Sequence, residues 1–64
     1  MQSERAEVVG DLRRLSRSML DVADAMWRLG AGAEVDAHAK ELTGAARIAQ
    51  GWADGIEGEG DGPL

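Results

Sequence analysis

Arg13, Arg14 and Arg17 stand together in the segment LRRLSRS and form the only basic cluster of the chain. A guanidinium carries a planar fork of donors that fits phosphate or carboxylate in bidentate fashion, so the chemistry they offer is anion recognition. Asp11 and Asp21 lie beside them, which reads first as a solvated, charge-balanced helix face. Anion binding would require such clusters from neighbouring copies of the chain to converge. His38 is the one imidazole, with Glu34 four residues before it and Glu41 three after, a spacing that places all three along one helix face. One His and two carboxylates on a single helix fall short of a metal site, which draws ligands from several elements. His38 therefore reads as a seam-edge residue, and as a base-stacking adjunct to the arginines if an anionic ligand is bound. Trp27 and Trp52 are the remaining candidates, since Trp stacks on nucleobases and anchors protein interfaces. Catalysis has no support: there is no Cys, no Ser in an elbow context and no Gly-rich phosphate loop between a strand and a helix. The expectation is a protein that binds without catalysing, with neither cofactor nor metal.

These residues sit on two helical patterns. Val8, Leu12, Leu15, Met19, Val22, Met26 and Leu29 follow at alternating spacings of 4 and 3, an unbroken heptad series. A second series, Val35, His38, Leu42, Ala45, Ala49, Trp52 and Ile56, continues the rhythm beyond a break. The prediction is an all-α, antiparallel two-helix hairpin over residues 1–54, with one helix at about 3–29, a turn at 30–32 and a second helix at about 33–54. Ser3 reads as an N-cap, and Glu4, Glu7, Glu34 and Asp36 place negative charge near the two helix starts. Gly30 and Gly32 supply the reversal. Gly44 and Gly51 weaken the second helix, and residues 55–64, GIEGEGDGPL, alternate Gly with acid and read as a flexible, solubilising tail.

If the two series face each other, Met19 lies near Ala45, Leu15 near Ala49 and Leu12 near Trp52. Arg17 with Asp21 and Asp24 with Arg28 then mark the solvent side as i,i+4 pairs. Leu20 and Trp27 fall outside the seam, seven residues apart on one flank. Ile48 and the stripe Ala39, Ala46 and Ala53 widen the apolar surface of the second helix. An exposed apolar strip marks an interaction surface. The prediction is self-association into a helical bundle, most simply of four helices, with Leu20, Trp27, Ile48 and Trp52 in oligomer or partner contact.

Size and charge support this reading. A chain of 64 residues without cysteines is near the limit at which one core offsets chain entropy, and oligomerisation is the remedy left. Seven basic against 12 acidic residues give a net charge of −5, the opposite of what duplex nucleic acid attracts. No apolar run approaches a membrane span and MQSERAEVV lacks a signal-peptide core, so the expected location is cytoplasmic.

The DVADAM segment over 21–26, His38, the ELTGAA segment over 41–46 and the pair Trp52-Ala53 resemble small helical-hairpin proteins encoded by phages and prophages. That resemblance covers about half the chain and implies accessory binding work: inhibition of a host protein, or an oligomeric sponge for cyclic-nucleotide immune signals. The leading expectation is a non-enzymatic, homo-oligomeric helical binding protein acting as a phage-encoded modulator of a host protein. Its rivals are a sponge in which Arg13, Arg14 and Arg17 hold phosphate while Trp27 or His38 stacks on a base, and a structural assembly module with no ligand.

Overall fold

A computed structural model of the chain, which describes residues 2–61, consists of two α-helices folded back on each other as a hairpin. The first, α1, spans Gln2–Leu29 and the second, α2, spans Ala33–Asp61. The reversal rests on Gly30 and Gly32, whose φ angles of 59° and 117° lie where a Cβ is disfavoured. Gly30 N–H donates to the Trp27 carbonyl at 3.3 Å, closing α1, and Asp36 N–H donates to the Gly32 carbonyl at 3.0 Å, opening α2. Glu34 and Asp36 occupy the first turn of α2, where the helix dipole favours them. The helix α1 starts at Gln2, so Ser3 lies inside it rather than capping it.

The stripe that each helix turns inward differs from the one marked by its large residues. Val9, Ser16 and Ala23 of α1 are buried against Ala39, Ala46, Ala49 and Ala53 of α2. Val8, Leu15, Val22 and Leu29, expected in the seam, are exposed, and so are His38 and Trp52. Leu12, Met19, Met26, Val35, Leu42 and Ile56 are shared by both stripes and are half-buried. Each helix is thus rotated by about 50° from the predicted seam, half of one residue's turn.

The cause is the size of the buried side chains. Ser and Ala at steps of seven let helix axes approach toward the short end of the usual range of about 8–10 Å. The approach is close enough for Ser16 Oγ to donate to the Ala46 carbonyl of the other helix at 2.9 Å. This bond replaces the predicted facing pairs: stepping seven residues either way from it sets Ala23 opposite Ala39 and Val9 opposite Ala53. Leu at Ser16, Ala23, Ala39, Ala46 or Ala53 would hold the backbones apart.

The helix α2 also runs on through Asp61, past residue 54 where a flexible tail was expected to begin. Two contacts carry it further. Ile56 is half-buried, and Arg13 reaches across from α1 to Asp54 at 3.0 Å and Glu57 at 2.6 Å. The last turn of α2 has no basic residue of its own, so Arg13 supplies positive charge near a carbonyl-rich end. Residues 62–64 of the predicted tail lie outside the described residues.

The hairpin is a slab of 49 × 18 × 11 Å, one helix thick, with a radius of gyration of 14.8 Å, where a compact chain of this length has about 11 Å. Among the described residues, no helix is long and apolar enough to cross a membrane.

Candidate association surface

A single layer of two helices has two broad sides, and here they differ in chemistry. Arg13, Leu20 and Trp27 recur at steps of seven along α1 and share one side. The contacts of Arg13 with Asp54 and Glu57 place Asp36, Thr43, Gln50 and Glu57, also at steps of seven, on that side of α2. This is the polar flank. Val8, Leu15, Val22 and Leu29 project from the opposite side of α1, beside Leu12, Met19 and Met26. On α2 that side carries His38, Ala45 and Trp52, with Ile48 on its rim.

The second side is apolar along its centre and edged by acidic residues. Leu15 is 52% exposed, Val22 51%, Ile48 55% and Trp52 61%. The two heptad series expected to meet inside the hairpin lie side by side on this face, both open to solvent. His38 lies on it with Nδ1 3.6 Å from Glu41 Oε1; Glu34 and Glu41, at steps of seven from Ile48, and Asp11, on the azimuth of Leu29, edge the same side.

The predicted contact residues are therefore divided. Ile48 and Trp52 join the apolar face, while Leu20, 40% exposed, and Trp27, 47% exposed, stand on the polar flank among charges. A recess of 290 Å³ on that flank is lined by Arg13, Ser16, Arg17, Leu20 and Gln50. The three clustered arginines diverge. Arg13 turns to α2, where hydrogen bonding to Asp54, then to Glu57, raises the pKa of its guanidinium. Arg14 pairs with Asp11 along its own helix. Arg17 borders the recess and makes no ion pair among the described residues; the expected Arg17–Asp21 pair is not formed, whereas Asp24–Arg28 is.

Other polar groups are accounted for locally. Thr43 Oγ1 donates to the Ala39 carbonyl at 2.9 Å, ordinary back-bonding within a helix. Asp36 Oδ1 is shielded from solvent without a hydrogen-bond partner among the described residues, near the turn on the polar flank. His38, Glu34 and Glu41 form no cradle, and no three His, Asp or Glu side chains converge on a metal-sized space among the described residues.

Sequence reasoning misplaced Val8, Leu15, Val22 and Leu29 in the hairpin core. The pointer to the true seam was the run Ser16, Ala23, Ala39, Ala46 and Ala53, small residues at steps of seven on both helices. No family model matches the chain, and neither does any curated protein or solved structure. The geometry carries the functional reading.

Proposed function

We propose that this chain is a non-enzymatic helical binding protein that works by laying its apolar face against another helical surface. One observation carries the reading: the chain closes its own core with Ala23, Ala39, Ala46, Ala49 and Ala53 and leaves Val8, Leu15, Val22, Leu29, Ile48 and Trp52 open along one side. Monomeric soluble proteins rarely leave so continuous an apolar surface uncovered. Modulation of a host protein is the biological role such an assembly suits, with the Leu20–Trp27 flank as the contact left open to it. Anion sequestration receives less support, because Arg13 and Arg14 already hold carboxylates of their own chain. The test is an environment-sensitive apolar dye added to the purified chain and to a Leu15→Glu/Val22→Glu variant, alongside particle mass. The reading expects a wild-type face that is either covered in a complex or bound by dye, and a variant that shows neither. Equal behaviour of the two proteins, monomeric and dark, refutes it.

A further inference from the structure

We infer that the occupant of the apolar face is a second copy of this chain, stacked face to face to close an antiparallel four-helix bundle. The inference rests on the reading of that face as an association surface and adds what covers it.

Four observations point to a second copy. The hairpin is one layer thick and, among the described residues, buries no large side chain completely, whereas stable domains enclose a core between layers. The broad side of the hairpin spans 49 Å by 18 Å, a footprint with room for the roughly 800 Å² per partner of a standard stable interface. It is self-matching: α1 and α2 have 28 and 29 residues and carry apolar ridges of the same seven-residue period, so a two-fold copy meets each ridge with one of equal length and spacing. Its charges stand at the edges: Glu34 and Glu41 lie at steps of seven from Ile48 and Asp11 on the azimuth of Leu29, so the centre of the contact, around Leu15, Met19, Val22, Leu42 and Ala45, carries none and the carboxylates stay at the solvated rim.

In the closed bundle, Leu15, Met19 and Val22 of α1 and Leu42, Ala45 and Ala49 of α2 form the shared centre. The Ser/Ala stripes hold each hairpin together from within. Both polar flanks point outward, so each dimer displays Leu20 and Trp27 twice, on opposite sides of the particle.

The experiment is sedimentation equilibrium on the full chain and on two double variants, with unfolding midpoints followed over a hundredfold range of concentration. The wild type is expected at twice 6.8 kDa, with a midpoint that rises with concentration. Leu15→Glu/Val22→Glu is expected to weaken association by about 1,000-fold or more, since it sets carboxylates into an apolar centre. Leu20→Glu/Trp27→Gln is expected to keep the wild-type mass. The concentration dependence of the wild type stands even if the first variant does not fold. A wild-type monomer that binds apolar dye, with binding lost in the Leu15→Glu/Val22→Glu variant, overturns the second copy while sparing the binding reading. A monomer with no dye response overturns both. Dissociation by the flank variant alone also overturns the proposal.

Discussion

Replacing Ala46 by Leu distinguishes the two candidate seams. Ala46 is 0% exposed, and its carbonyl accepts the Ser16 hydroxyl at 2.9 Å. A leucine there finds no space unless the helices separate. Separation breaks the Ser16 bond, a loss of about 1 kcal/mol, and adds overpacking strain of about 1–3 kcal/mol. The neighbouring layers at Ala39 and Ala53, each also 0% exposed, are loosened in turn. The expected cost is about 2–4 kcal/mol, a large share of the total for a small domain, and a fall of roughly 10–25 °C in Tm. The assay is urea unfolding followed by circular dichroism at fixed protomer concentration. Had the large residues formed the seam, position 46 would lie outside it, and Leu would be a surface change worth within about 0.5 kcal/mol. A change that small refutes the packing described here.

Four further outcomes follow from the same geometry. Ser16→Ala removes one buried hydrogen bond and should destabilise by about 1 kcal/mol in the same assay, with no change in particle mass. Gly44→Ala and Gly51→Ala, at helical positions where an added Cβ meets nothing within 4 Å, should each stabilise by about 0.5–1 kcal/mol, whereas Gly30→Ala and Gly32→Ala should destabilise by about 1–2 kcal/mol; thermal melts of the four variants check the signs. Arg13→Gln should release the end of α2, seen as faster amide exchange over residues 54–58 than elsewhere in the helix, and high salt should mimic it in the wild type. A thermal-shift panel of inorganic phosphate and cyclic and linear nucleotides should leave the melting point unmoved; stabilisation of about 2.7 kcal/mol, as from a ligand at a hundred times its Kd, would restore the sponge reading.

The helix number, the turn and the hairpin were legible because they depend on local chemistry. Gly30 and Gly32 are where positive φ is required, and a heptad rhythm names a helix whichever way it faces. Which stripe faces inward was not legible from the same rhythm. Val8, Leu15, Val22 and Leu29 have the greater apolar area, and a rule that buries the largest side chains selects them. Two helices pack on what allows close approach, and Ser16, Ala23, Ala39, Ala46 and Ala53 win that contest by being small. The large residues are left exposed on the broad side of the hairpin. Similarly, the glycines of residues 55–61 argue for a coil, and the half-buried Ile56 with the long-range contacts of Arg13 to Asp54 and Glu57 hold that stretch in α2. The arginine cluster was legible as a cluster. Its divergence required knowing that Arg13 faces α2 while Arg14 pairs with Asp11 along its own helix.

An isotope-filtered nuclear Overhauser experiment on an equimolar mixture of labelled and unlabelled chain probes the covered face directly, because it records only contacts between copies. Cross-peaks are predicted from the methyl groups of Leu15 and Val22 to the unlabelled chain, with none from Leu20. Intermolecular cross-peaks confined to Leu20 and Trp27, or none at all at millimolar concentration, would contradict the account.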